Sequence, residues 1–446
     1  IKLEPTYQAT VTIPNGIYDV QIEPSHRLAD VYMLDNSYKF PVKSAFDSKV
    51  YNTPDWTKYT FLGRPDVWYN NYDGLKVGMH LHGDYLGYYH VFDASFWFNS
   101  GLFQHNIPDS GINKFQKISF IFSYKTATDK FMEKSDVFFS AKVLDGLNAA
   151  KLGFEKRDKS LHNRAYVYFK TMYRPSYFSS NYLLYPDEWG IQKFNNTINF
   201  GFEHNYNLNG YSGNIIAELK ASAITNDYNY SNLTITNVNK KNIWKLKLNT
   251  RLIAQYGMGT VTPDESALYL AGANPEEMME DKFTRSAGFF SQSMAGFGAS
   301  TGQFQAGGGL NLRGYADYLA PEYDKNGNII YTFKGNTGAA VNAELEFNNL
   351  VKFNPKFLKN YFHLATYLFG DAGVINNNQF PNELSFANFR ADAGIGTALT
   401  IQRWGPLQTV HPLTIRFDMP LFLNHPPATD QGFFQFRWII GVNRAF

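Results

Sequence analysis

The sequence predicts an all-β chain, a transmembrane antiparallel β-barrel of about sixteen strands, an even number as bacterial barrels prefer. Three observations predict it. Apolar and polar residues alternate along many segments. No long helical pattern interrupts them. The connections fall into short turns and long polar loops.

The alternation is clearest near the C-terminus. From 434 to 446 the even positions Phe434, Phe436, Trp438, Ile440, Val442 and Phe446 are apolar, with Arg444 among them. The odd positions Gln435, Arg437, Gly441, Asn443 and Ala445 are polar or small. Leu413, Ile415, Phe417, Met419 and Leu421 oppose Thr414, Arg416 and Asp418. Val341, Ala343, Leu345 and Phe347 oppose Asn342, Glu344, Glu346 and Asn348. Trp244, Leu246, Leu248, Leu252 and Ala254 oppose Lys245, Lys247, Asn249 and Arg251, and Leu75, Val77, Met79 and Leu81 oppose Lys76, His80, His82 and Asp84. A period of two puts each set on opposite faces of a strand. A soluble sandwich alternates too, but on modest strands whose polar face meets bulk water. Segments here run to roughly 10–15 residues, against the 9–11 that a membrane crossing needs. Both charge signs share the polar face, as in a barrel lumen.

Composition is compatible with this and narrows the function classes. The 446 residues carry a formal net charge of +2, so the concentrated basic patch of a nucleic-acid partner is not expected. There is no cysteine, which excludes disulfides and thiolate metal sites. The 30 Tyr, 39 Phe and 7 Trp suit interfacial aromatic girdles, although an aromatic soluble core would have the same composition. No apolar run of about 18 residues exists, so no transmembrane helix is expected; a barrel strand shows lipid only every second residue. The chain starts at Ile1 without Met or signal peptide, and is expected to be processed or partial.

Three regions follow. Residues 1–64 read as short strands at 10–13 and 17–22, punctuated by Pro5, Pro14, Pro24, Pro41 and Pro54, and are expected to be a periplasmic β tail and linker of an upstream domain. Residues 65–446 are expected to form the barrel, with both termini periplasmic. The turn Leu86-Gly87-Tyr88 marks the short-turn end; the long connections 100–115, 174–192 and above all 257–336 mark the other.

The longest connection, about 80 residues, is too long for a plain link. It holds Gly307-Gly308-Gly309-Leu310-Asn311-Leu312-Arg313-Gly314-Tyr315. This resembles the (V/L)RG(F/Y) tip of the sixth extracellular loop in the BamA/TamA/FhaC family of outer-membrane assembly and two-partner-secretion barrels. Phe369-Gly370-Asp371-Ala372-Gly373 resembles the FxDxG strand motif that follows the loop, and Leu345-Glu346-Phe347 the acidic site between them. Arg390 and Asp392 beside 391–396, then 412–421, resemble the family's last strands in order. The resemblance implies a loop folded back into the barrel as a lid, with Leu312, Arg313, Gly314 and Tyr315 at its tip. Glu346, Phe369, Asp371 and Gly373 are then the wall partners. A guanidinium in a partly dehydrated lumen is costly unless paired, and its fork suits carboxylates on two neighbouring strands. Gly441 in mid-strand and the terminal aromatic Phe446 mark the expected seam between the last strand and the strand near Leu75. The implied role is outer-membrane protein assembly or translocation. The implied partners are membrane lipid, lipopolysaccharide, assembly-complex subunits and client proteins.

A second resemblance lies in the tail. Glu23-Pro24-Ser25-His26-Arg27-Leu28-Ala29-Asp30, then Asp35-Asn36, is similar to the end of the β-sandwich in gluzincin aminopeptidases. Trp68-Tyr69-Asn70-Asn71-Tyr72-Asp73-Gly74-Leu75-Lys76 is similar to barrels fused behind such peptidases. It implies the alternative of a membrane anchor or accessory subunit for a periplasmic metallopeptidase-like domain. No POTRA helix–strand pattern shows in 1–64, which sets the chain apart from ordinary chaperone-type BamA.

Residues 1–446 nominate no catalytic group and no cofactor, for HExxH, GxSxG and phosphate-loop patterns are all missing. His80, His82 and Asp84 have a spacing that suits a metal, yet read first as polar lumen residues, so no metal is expected. Glu276, Glu277, Glu280 and Asp281 read as solvated loop surface, with cation binding as the lesser alternative.

Overall fold

The computed structural model describes residues 8, 10–14, 16–27, 30–48, 53–105, 115–286, 303–316, 321–323, 329–331, 333–348, 361–376, 389–402, 412–426 and 432–444. Its strands, in chain order, are β1 (Val42–Phe46), β2 (Tyr59–Asn70), β3 (Gly74–Tyr85), β4 (Tyr89–Asn99), β5 (Ile118–Ala127), β6 (Ser135–Leu144), β7 (Leu147–Arg157), β8 (Asn163–Tyr173), β9 (Phe194–Leu208), β10 (Tyr211–Ser222), β11 (Asn229–Ile243), β12 (Leu246–Val261), β13 (Leu268–Tyr269), β14 (Phe304–Ala306), β15 (Pro321–Tyr323), β16 (Ile329–Tyr331), β17 (Lys334–Gly335), β18 (Gly338–Glu346), β19 (Phe362–Ile375), β20 (Arg390–Ile401), β21 (Leu413–Leu423) and β22 (Ile439–Val442).

One sheet holds 18 of these strands, which corrects the expected number of about sixteen. From β2 to β12 and on through β18 to β22, each strand pairs antiparallel with the next. The excess is β1, parallel to β2, and β14, parallel to β22. These two cover the outer strands, and among the described residues β2 and β22 do not pair, so the sheet is not closed. The expected boundary at 64/65 falls inside β2, which begins at Tyr59.

The faces of this sheet invert the usual soluble arrangement. Val77, Met79, Phe96, Phe98, Leu252, Val341, Leu368, Ile415 and Phe417 are exposed. Their strand neighbours Lys76, Asn342, Glu344, Asp371, Arg416 and Asp418 are buried. What buries them is the connection between β12 and β18. It touches β2 through Phe283 against Trp68, with ring centroids 5.8 Å apart. Its Arg285 Nε reaches Asp145, in the turn after β6, at 2.7 Å. Glu276 takes Lys170 on β8 and Lys220 on β10, both at 2.9 Å. Gln305 accepts from Arg416 Nη2 on β21 at 2.7 Å. One loop can reach β2, β8, β10 and β21 only if the sheet curls around it.

Long connections cluster at one end, because 100–117, 174–193 and 262–337 each follow an odd number of wall strands counted from β2. The turn at Leu86 lies at the other end, but so do the longer links 347–361 and 402–412, so the length asymmetry is partial. Two hairpins show their turn chemistry. Asp145-Gly146 (φ 51° and 74°) and Asn209-Gly210 (φ 28° and 80°) are two-residue turns with both residues left-handed, the conformation that Asp-Gly and Asn-Gly favour.

The last strand departs from expectation. The alternation over 434–446 predicts one long strand; the structure has β22 only at Ile439–Val442, and Phe446 lies outside the described residues. Pro420 supplies the reason. The β21–β22 register of Ile415 with Val442 and Asp418 with Ile439 would bring Pro420 opposite Arg437, and proline has no N–H to donate. Phe422 then bridges Phe434, one residue out of that register.

Among its described residues before β1, the tail contains one isolated bridge, Gln21 to Ser37, and a 3-10 turn at Met33–Asp35. It docks on the β3–β4 turn through Tyr32, whose ring stands edge-on to Tyr85 and Tyr89 at 5.4 Å each. Leu34 is buried beside them.

The two glycine turns give a comparative test. A Cβ on Gly146 would lie 2.8 Å from the Tyr182 ring and 2.9 Å from Ser179 O, whereas one on Gly210 meets nothing within 4 Å. Gly210→Ala should cost only the left-handed backbone penalty, about 1–2 kcal/mol. Gly146→Ala should lower the thermal midpoint clearly further, measured by loss of heat-resistant mobility in detergent. Equal losses would contradict the packing described at Gly146.

Candidate functional site

The segment around Arg313 is shaped by its own backbone before it meets the wall. Leu310 N–H donates to Tyr269 O at 2.8 Å and Leu312 N–H to Leu270 O at 3.0 Å, so 310–312 runs alongside 269–270. A 3-10 turn follows over Arg313–Tyr315. Leu268, Leu270, Leu310, Leu312 and Tyr315 pack with Ile253, Ala340, Ile375 and Leu423 of the wall. The alternate loop side chains thus form an apolar seat that fixes where the guanidinium points.

Arg313 is fully buried. Its Nε donates to Asp371 Oδ2 at 2.7 Å and its Nη2 to Asp371 Oδ1 at 2.9 Å, a bidentate fork. Nη1 donates to Glu344 Oε1 at 2.7 Å, and the Arg313 backbone N–H reaches Asp371 Oδ2 at 3.2 Å. The guanidinium carbon sits 4.1 Å over the Phe369 ring. Asn342 Nδ2 donates to Asp371 Oδ1 at 3.1 Å and to Leu310 O and Asn311 O. All three guanidinium nitrogens and the carboxylate oxygens of Asp371 and Glu344 have partners, which is what a dry guanidinium requires.

Glu344 also receives Arg444 from the segment after β22, whose Nη1 lies 2.8 Å from Glu346 Oε1. Glu346 in turn accepts from Asn249 Nδ2 at 2.8 Å. A continuous ladder runs from Asp371 through Arg313, Glu344, Arg444 and Glu346 to β12. It ties the loop tip to the C-terminal segment through one shared carboxylate.

The sequence reading chose Glu346 as the second acid. The structure puts Glu344 there instead. Glu344 faces Phe369 and Asn342 faces Asp371 in the β18–β19 register, while Glu346 faces Tyr367. Glu346 is therefore one more two-residue step along the strand, roughly 7 Å further from the fork. Gly314 lies against the wall: a Cβ there would stand 2.3 Å from Leu423 Cδ2 and 2.6 Å from Asp392 Cβ. Tyr315 OH donates to Asn424 Oδ1 at 2.7 Å. Gly373 is covered by Leu312, and Gly441 by the Arg416 guanidinium. Gly441 pairs in register with Gln305 of the loop and with Arg416 on β21, rather than facing β2.

Other candidates change role. Glu276 is buried between Lys170 and Lys220 rather than solvated, while Glu280 reaches Lys170 at 3.0 Å and Lys142 at 3.2 Å from a side chain that stays exposed, as does Glu277. His82 bonds Asp93 at 2.9 Å and Asp84 at 3.1 Å, and no group of His and carboxylates suited to a metal ion occurs among the described residues. The Asp145 cluster with Lys76 and Arg285 was not anticipated; its signal was a turn-forming Asp-Gly, which says nothing about charge partners.

No protein-family model and no curated protein matches the sequence. Several solved structures align with much of the chain. BamA from Haemophilus ducreyi lacking POTRA domains 1–3 aligns over 88% of this chain and 74% of that chain, at 16% identity and a TM-score of 0.41. CdiB from Acinetobacter baumannii aligns over 82% of this chain, which spans about half of that one (52%), at 11% identity and a TM-score of 0.34. A BenF-like porin from Pseudomonas fluorescens Pf-5 aligns over 82% and 76% of the two chains, at 8% identity and a TM-score of 0.38.

Removing one member of a buried pair strands the others. Arg313→Ala is expected to cost about 3–5 kcal/mol, read as a lower thermal midpoint. Glu344→Gln should cost clearly more than Glu346→Gln, because Glu344 serves two arginines. Exchanging Arg313 and Asp371 should recover part of the single-variant losses. No recovery on exchange would refute direct pairing.

Proposed function

We propose that this chain is the membrane domain of a larger outer-membrane protein of the BamA/TamA/FhaC kind, with the β12–β18 connection as its lid, acting in protein assembly or translocation. The observation that carries the reading is the fully buried Arg313, held by Asp371 and Glu344 on the concave side of the sheet. A motif arginine at the tip of a long loop, paired to the strands that follow it, is what the sequence resemblance implies.

The distribution of side chains supports the membrane part. Arg174, Arg313, Arg390, Arg416 and Lys76 are the largest fully buried charged side chains, while apolar residues such as Phe98 (64% exposed) and Met79 (55%) form the outer face. Water is the wrong solvent for that face and hydrocarbon the right one. Lipid and lipopolysaccharide are then its neighbours, and residues up to the start of β2 make a periplasmic tail. The described tail forms no β-sandwich end, so no observation favours a peptidase anchor over this reading.

The working geometry has two parts. The lid fills the concave side, with Arg313 as its latch. The edge strand β22 is four residues long and its free side is covered by only three residues of β14. Displacing β14 would expose an edge able to pair with an incoming strand. Because Glu344 holds both Arg313 and Arg444, movement of the lid and of the terminal segment are linked.

Two measurements test this. In planar bilayers, Arg313→Ala should raise conductance severalfold over the native chain; unchanged conductance would remove the latch. In cells, a disulfide between Ala306→Cys and Val442→Cys, register partners in β14 and β22, should block the assembly or export function until reduced. Full function while the disulfide is intact would exclude strand exchange at this edge, and an always-open native pore would favour passive diffusion instead.

A further inference from the structure

Away from the latch, the concave face carries four lysines on neighbouring strands. Lys142 (β6), Lys151 (β7), Lys170 (β8) and Lys220 (β10) share this face: Lys151 and Lys170 are register partners, and the other two reach the same lid segment. Two lid carboxylates, one helical turn apart, occupy them. Glu276 gives one oxygen each to Lys170 and Lys220 at 2.9 Å. Glu280 gives one each to Lys170 at 3.0 Å and Lys142 at 3.2 Å. All four carboxylate oxygens are therefore bound by three ammonium groups.

Lys151 completes the set without an acid. Its Nζ stands 3.8 Å over the Tyr168 ring, and no carboxylate lies within 4.0 Å of it among the described residues. The wall's own acid, Glu218, accepts from the Tyr166 and Tyr168 hydroxyls at 2.7 and 3.3 Å. Beside these groups is a cavity of about 310 Å³, lined by Tyr168, Lys170, Glu218, Lys220, Glu276 and Glu280.

We propose that Lys142, Lys151, Lys170 and Lys220 form a binding site for a small soluble anion bearing two phosphate or carboxylate groups, and that Glu276 and Glu280 of the lid occupy it as a built-in substitute. The reasoning is electrostatic. Lifting the lid removes two negative charges from ammonium groups that are mostly out of water, and a buried charge left unpaired is costly. An anion entering the cavity relieves that cost, so it binds best to the lid-open state and favours it by linkage. The lysines line the concave side, opposite the apolar face, which selects a soluble anion over a lipid headgroup. The site stands apart from the Arg313 latch, and the inference does not depend on whether the chain transports proteins.

The test uses the purified full chain in a non-ionic detergent, titrated calorimetrically with inorganic pyrophosphate at low ionic strength. Glu276→Gln with Glu280→Gln should bind pyrophosphate at least about tenfold more tightly than the native chain, a 1.4 kcal/mol difference. Adding Lys170→Gln and Lys220→Gln should abolish the gain. Should the double variant fail to fold, judged by heat-shifted mobility, Glu280→Gln alone should still show a smaller gain, since its side chain is 59% exposed and its loss is tolerated more easily. Equal affinity for the native and the glutamine variants would overturn the proposal. So would a gain that survives replacement of the lysines, for it would place the anion elsewhere.

Discussion

The buried guanidinium of Arg313 is the constraint on which the rest of the arrangement rests. It lies with no exposure between Asp371 and Glu344, three charges removed from water together. Such a group is stable only where every donor and acceptor is matched, so the loop cannot shift by a residue without stranding a charge. The apolar seat made by Leu310, Leu312 and Tyr315 sets the backbone, and the fork then fixes the register. Gly314 belongs to the same constraint, because no side chain fits between the turn and Asp392.

From there the inverted architecture becomes intelligible. Among the described residues the strands outside this sheet form only two two-stranded ribbons, and its concave face carries many charges beside a few apolar clusters. The loop supplies what the face lacks: Arg285 for Asp145, Glu276 for Lys170 and Lys220, Gln305 for Arg416, Arg313 for Asp371 and Glu344. Interior polar groups of opposite sign add to the apolar clusters that loop and wall share, while many other wall hydrophobics face outward. The loop is in this sense the core of the molecule, distributed over contacts that different segments of it make with different strands.

The two outer strands show a related compromise. An unpaired strand edge invites pairing with other chains. Here β1 covers the first half of β2 and β14 covers β22, each parallel and each short. Pro420 limits how far β22 can extend, and Arg444 crosses to Glu344 and Glu346 instead of continuing a ladder. The weak edge is thus written into a single proline and a single arginine, and it is held by the same carboxylate that holds the loop.

Strand positions and their faces were legible in the sequence because a period of two is a local property: Lys76 inside and Val77 outside follow from adjacent residues. The Gly-rich tip, with Arg313 and its inward acids, was legible for the same reason, since parity along one strand tells which side chains share a face. Which acid Arg313 meets was not. Glu344 and Glu346 have the same parity, and only the β18–β19 register, a relation between strands, separates them. The wall-facing role of Glu276 and Glu280 was equally hidden, because an acidic run in a loop looks solvated until the lysines of β6, β8 and β10 are brought to it. The length of the last strand was misjudged because the alternation over 434–446 is local, whereas the register that places Pro420 opposite Arg437 exists only once β21 and β22 pair. Periodicity along the chain decided the fold class and the faces; register and curvature of the sheet, set by pairings between residues far apart in sequence, decided the partners.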